Sequence, residues 1–224
     1  MKTRTLILLS LAFTACSVSV PDNAGLSDAV PGIFPDYTDV VIPANIAPLN
    51  FRIEEQGDRY VTLLTAGSSR VVISGPKVII PSRKWEELKG NGRIEVQVFV
   101  RNEGSWTQFR PFSMEVSDEI DPYISYRIIP VAVEAYEKLT IRQRDLTSFR
   151  EKVIVSNTMV QITQSGTCIN CHYYRGGDTD NMMFHVRQYK GGTILVLDGK
   201  LNKVNMKTDS TISAGVYPSW HPTH

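Results

Sequence analysis

The chain has 224 residues, with 24 Lys and Arg against 23 Asp and Glu, a formal net charge of +1. A balance this close to neutral lacks the basic excess that nucleic-acid binding draws on, so no nucleic-acid partner is expected. With only three cysteines and four histidines, the placement of each one carries information, and the length allows one or two domains with real cores.

The amino terminus reads MKTRTLILLSLAFTAC. Lys2 and Arg4 form a positive n-region, and Leu6 to Phe13 is an apolar run broken only by Ser10. The run is shorter than the ~20 residues of a membrane-spanning helix and fits a signal peptide over residues 1–15. Its ending, F-T-A-C, resembles a bacterial lipobox. That resemblance implies cleavage before Cys16 and acylation of the Cys16 sulfur. Acyl chains would hold the mature protein on a membrane leaflet and leave its body in water. Ser17 offers no inner-membrane retention signal, so the expected location is the outer membrane, facing the periplasm. Loss of the leader takes Lys2 and Arg4 with it, and 24 basic residues fall to 22 against 23 acidic. Export also puts the two remaining cysteines, Cys168 and Cys171, in an oxidising compartment.

Residues 16–39 mix Pro, Gly, Ser and Asp without a sustained period, which predicts a lipidated, flexible tether. FPDYTDVVIPANIAPLNF, with its four prolines, then favours extended or edge structure over helix. NFRIEEQ, RYVTLLTA, SRVVIS and KVIIP are short β-type runs separated by Gly57-Asp58, Gly67-Ser68 and Gly75-Pro76. RIEVQVFV alternates, placing Ile94, Val96, Val98 and Val100 on one face. GSWTQFRPFSMEVS and PYISYRIIP continue the pattern. SRKWEELKG is the one helical stretch, with Ser82 as N-cap and Gly90 as stop; Trp85 and Trp106 read as core or rim residues. About seven strands at ~10-residue spacing predict a β-sandwich of immunoglobulin or fibronectin-type-III kind over residues 40–130.

Residues 131–181 read as a linker. VAVEAYEKL is expected to be a short helix, and TIRQRDLTSFREK a solvated connection of alternating charge. The linker contains SGTCINCHYYRGG. C-x-x-C-H is the spacing at which c-type haem is attached. Both thiols would bond the macrocycle and His172 would ligate the iron; the spacing suits this because on a helical turn all three face the same edge of the macrocycle. Sixth-ligand candidates are His185, Met183, Met182 and the distant His221, with His185 and Met183 preferred. Two other readings stay open: a Cys168–Cys171 disulfide, and a zinc site of Cys168, Cys171, His172 and His185. GGDTDN has calcium-like spacing but lacks the terminal Glu, so it reads as a solvated turn. No catalytic triad or phosphate-cradling loop is legible, and no enzymatic activity is expected.

Over residues 182–224, MMFHVRQ, GGTILVLDGK and LNKVNMKT predict three strands, with Gly191-Gly192 and Asp198-Gly199 as turn pairs. Alternation puts Met182, Phe184 and Val186 on one face and Met183 and His185 on the other. YPSWHPT resembles the start of a blade in TolB-like and WD-repeat-like β-propellers. Together with FPDYTDVVIPANIAPLNF, YISYRIIP, TCINCH and MMFHVR, it resembles Gram-negative cell-envelope lipoproteins with an N-terminal β domain, a C-x-x-C-H segment and a C-terminal propeller. The likeness runs from about Phe34 to Thr223. His224 stands where the blade motif has Gly, which implies a partial blade in a shortened member. The expected fold is mainly β: a sandwich, a helical linker, a CxxCH loop and an incomplete blade. The expected function is a lipid-anchored envelope protein carrying one haem c, serving electron transfer or redox sensing with a redox protein as partner. The alternative is a non-enzymatic envelope scaffold or binding lipoprotein, in which the cysteines form a structural disulfide.

Overall fold

The computed structural model describes residues 18–131, 138–160, 168–188, 190–212 and 214–223. The signal peptide, Cys16 and most of the helix expected in VAVEAYEKL lie outside the described residues. The chain is mainly β, in several sheets, none of them closed. It divides into two compact units, one ending at Asp118 and one starting at Glu119, with Asn45–Ala47 belonging to the second. Among the described residues, no helix is long and apolar enough to cross a membrane.

The first unit contains, in chain order, β1 (Gly25–Leu26), β2 (Ile33–Phe34), β3 (Val40–Pro43), β4 (Phe51–Ile53), β5 (Arg59–Ala66), β6 (Ser69–Ser74) and β7 (Lys77–Val78). After these come α1 (Ser82–Lys89), β8 (Arg93–Asn102), β9 (Ser105–Gln108) and β10 (Phe112–Ser117). The long strand β8 is the centre of the larger sheet. β5 pairs along one of its edges, while β9 and β10 share the other. β6 extends the sheet beyond β5, and β1 and β3 add in parallel to β9 and β10. The alternation in RIEVQVFV is realised: Ile94, Val96, Val98 and Val100 are all buried. Phe99, which points to the other face, is buried as well, so β8 is covered on both sides there. The second sheet, β2-β4-β7, meets the first where Phe51 packs edge-on against Phe112, ring centroids 6.3 Å apart.

Two expectations change in this unit. The tether predicted over 16–39 holds β1 and β2, and its backbone pairs with ordered strands through Ser27 to Gln108, Arg110 to Ala29 and Glu54 to Gly32. Strands two residues long carry no period, so composition alone reads as linker. Ser82 is not the N-cap of α1; Pro81 occupies that position with extended backbone and no capping side chain. The helix is instead fixed by burying Trp85 and Leu88 completely. Lys89 is buried beside them, its ammonium donating to the Ala44 carbonyl at 2.6 Å and pairing with Glu86 at 2.9 Å.

The second unit contains β11 (Tyr123–Ile128), β12 (Thr140–Asp145), β13 (Glu151–Ser156), α2 (Asn157–Val160), β14 (Cys168–Tyr174), β15 (Met182–Arg187), β16 (Gly192–Leu197) and β17 (Lys200–Val204). β11-β12-β13 is a three-stranded sheet and β14-β15-β16-β17 a four-stranded one, both antiparallel and paired in chain order. Leu139, Ile141 and Val155 from the first join Ile169, Met182, Phe184 and Val186 from the second in one core. Asp198 and Gly199 make the two-residue turn between β16 and β17, both with positive φ (48° and 73°), the geometry of a type I′ hairpin. Of the other predicted turn pair, Gly191 lies in the turn and Gly192 already opens β16.

The predicted linker of this unit contains three strands, β12, β13 and β14. The boundary falls at 118/119 and not at 130, because β11 pairs residue for residue with β12. The stretch TIRQRD is β12 and not a solvated connection. Its buried positions are Thr140, Ile141, Gln143 and Asp145, and three of the four are polar, which hides the alternation. Asp145 is accommodated by hydrogen bonds from Thr147, Arg150 and Ser148, which hold its carboxyl far below the usual carboxylate range. The CxxCH segment, expected as a loop, is strand β14.

Candidate functional site

CINCHYY becomes a strand because both of its ends are tied. Ile169 is fully buried in the core of the second unit. Its N–H donates at 3.0 Å to Oδ1 of Asn157, a fully buried residue at the start of α2. The Asn157 N–H donates in turn to the Leu139 carbonyl at 3.1 Å. At the other end Tyr173 and Tyr174 pair with Met183 and Met182 of β15. The Tyr174 hydroxyl lies 2.8 Å from the Ser125 hydroxyl of β11.

Between these ends the ladder carries a bulge. Asn170 pairs with His185 and Tyr173 with Met183, so Cys171 and His172 together oppose the single residue Phe184. Cys171 takes up the extra residue with a left-handed backbone, φ +53°. The Asn170 side-chain oxygen accepts the Cys171 N–H at 2.8 Å, which supports that conformation.

The register assigns the faces. Ile169 stands opposite Val186 and Tyr174 opposite Met182, on the core side of the sheet. Beyond the bulge His172 is on that same side, and its Nε2–H donates to the Ser125 carbonyl at 3.4 Å. Asn170 and Tyr173 stand opposite His185 and Met183, on the other side, while Cys168, at the first position of the strand, packs against the core cluster. There His185 is 3% exposed, with Nδ1 3.2 Å from the Thr193 hydroxyl. Burial first, and then the Arg187 charge, push the His185 pKa below its ordinary value, so the ring stays neutral. Met183 is buried on the same side.

This arrangement bears on each sequence reading. Covalent haem at C-x-x-C-H was argued from a helical turn, on which three residues rise only about 5 Å. Along β14, Cys168 and Cys171 are three strand steps apart, about 10 Å of rise. His172 and its preferred trans partners, His185 and Met183, lie on opposite sides of the sheet. The residues as folded therefore do not fit a haem held between them. A Cys168–Cys171 disulfide needs Cα atoms within about 7 Å, and strand spacing exceeds that; both thiols are free and half-buried. The four residues of the zinc reading are split across the two faces in the same way. Among the described residues, no group of three or more His, Cys, Asp or Glu side chains is placed to hold a metal ion. In GGDTDN, Asp178 is occupied by the Asp180 N–H and the Asn181 amide, as a solvated turn requires.

Comparison with family models, curated proteins and solved structures finds no match for this chain. The residues that organise β14 and that sequence reasoning missed are Asn157, Ser125 and Tyr174. A lone Asn after a β-type run, as in VSNT, is the one local signal for the first. The other two act across strands and leave none.

Proposed function

We propose that this is a non-enzymatic binding or scaffold protein of the cell envelope, carried on a membrane by lipid at Cys16 and facing the periplasm. The leader and the lipobox-like F-T-A-C support the anchor. The observation that carries the rest is the placement of CINCHYY as a bulged strand, with Ile169 in the core and His172 and His185 on opposite sides of the sheet. In this reading the first unit is a small β-sandwich, its two sheets joined at Phe51 and Phe112. The β14–β17 sheet, four antiparallel strands in chain order, is the kind of unit from which propeller blades are made.

The thiols provide the test. Held about 10 Å apart along one strand, Cys168 and Cys171 do not pair with each other. Alkylation of the denatured protein without reductant is expected to label both. Labelling that appears only after reduction, in a monomer, contradicts the reading. Haem attachment keeps one observation in its favour: Cys168, Cys171 and His172 are all half-buried, not sealed in the core. It requires β14 to leave the sheet before the haem is joined.

A further inference from the structure

The second unit holds an apolar cavity of about 460 Å³ on the core-facing side of its four-stranded sheet. The register lines up Met182 and Phe184 of β15 with Val196 and Ile194 of β16, these with Leu201 and Lys203 of β17, and Val186 with Gly192. Ile154 of β13 and Met159 of α2 form the opposite wall. The volume lies within the range of small-ligand pockets, which are mostly apolar with a few polar groups that fix orientation. The mouth is open to water: Leu201 and Met159 are 70% and 66% exposed. From Met182 to Val186 the apolar floor is about 13 Å long at the usual strand rise.

The two ends of this floor differ in charge. Lys190 and Lys203 stand at the Val186–Gly192 end, and among the described residues no acidic side chain lines the cavity. Asp178, Asp180 and Asp198 border the Met182–Val196 end. The Lys203 stem lies across β16 over Gly192, where a Cβ would stand 2.8 Å from Lys203 Cε and push that flexible stem aside. An extended apolar floor with cations at one end and carboxylates beyond the other selects both the charge and the direction of an occupant.

We propose that this cavity binds a single-chain anionic amphiphile, an acyl carboxylate. Its tail lies over Phe184 and Met182 and its carboxylate meets Lys190 and Lys203. This gives the binding reading above a ligand class and rests on it. The two fail separately, because the state of β14 is read from thiols and colour and the cavity from ligand titration. The test titrates the mature full chain by calorimetry with dodecanoate below its micelle concentration, beside dodecyltrimethylammonium, which has the same tail and the opposite charge. Dodecanoate is expected to bind one to one, and the ammonium at least about tenfold more weakly. The double variant Lys190→Glu, Lys203→Glu, at two exposed positions, is expected to lose about tenfold or more, the scale of a lost charge-assisted contact. Equal binding of both amphiphiles, no binding, or an unchanged double variant overturns the proposal. So does a concentration-dependent dimer that excludes dodecanoate, which assigns the groove to a second copy of the chain.

Discussion

At the scale of single residues, β14 depends on polar groups that have no room for error. Asn157 is fully buried and bonds to both Ile169 and Leu139. Asn157→Ala is expected to cost about 1–3 kcal/mol, because it removes the acceptor of the buried Ile169 N–H; a urea unfolding curve measures it. His185 supplies a pH dependence. Its pKa in the fold lies below the unfolded value of about 6.5. The unfolded chain therefore binds the proton first, and stability linked to His185 is complete above about pH 6.5 and declines as the pH falls toward the folded value. Thermal melts stepped downward from pH 7.5 are expected to show that decline. In His185→Gln the component is expected to vanish, leaving only the acid-range loss due to carboxylates such as Asp145.

At the scale of elements, the bulge in β14 separates the readings of the cysteines. Cys171 has φ +53°, a conformation that costs a residue with a Cβ roughly 1–2 kcal/mol and glycine nothing. Cys171→Gly is therefore expected to leave stability within about 1 kcal/mol of the parent, since glycine's added chain entropy offsets the relief. A structural disulfide predicts a loss of about 2–4 kcal/mol for the same change. Denaturation without reductant distinguishes them.

The element scale is also where the sequence was most and least legible. β5, β6 and β8 were visible because Val, Ile and Leu alternate or cluster between turn residues. α1 was visible from Ser82 and Gly90 as boundary signals, although Pro81 holds the N-cap position. β12 was hidden because Gln143 and Asp145 occupy inward positions and are satisfied by hydrogen bonds. β14 was hidden because C-x-x-C-H draws attention to the side chains, while the strand is made by Ile169, by Tyr174 and by Asn157, a residue eleven positions before Cys168. Of the candidate site, the faces of Met182, Met183, Phe184 and His185 followed from alternation. The face of His172 did not, because a bulge inverts alternation and its cause lies in the pairing with Phe184.

At the scale of the whole molecule, two compact mainly-β units divide at Asp118 and Glu119, and among the described residues the His and Cys side chains of the second half form no metal-holding cluster. His185 shares a face with Met183, while Cys168 packs against the core cluster and His172 faces Ser125. The central claim is that CINCHYY is a strand of the four-stranded sheet, from which we propose that it is not a haem attachment site. The most direct measurement is a visible spectrum of the mature protein, exported beside an active c-type maturation system and then denatured in alkaline pyridine. The account predicts a colourless protein, with no Soret band before denaturation and no α-band after it. A reduced α-band that persists through denaturation means covalent haem on Cys168 and Cys171, and contradicts the account.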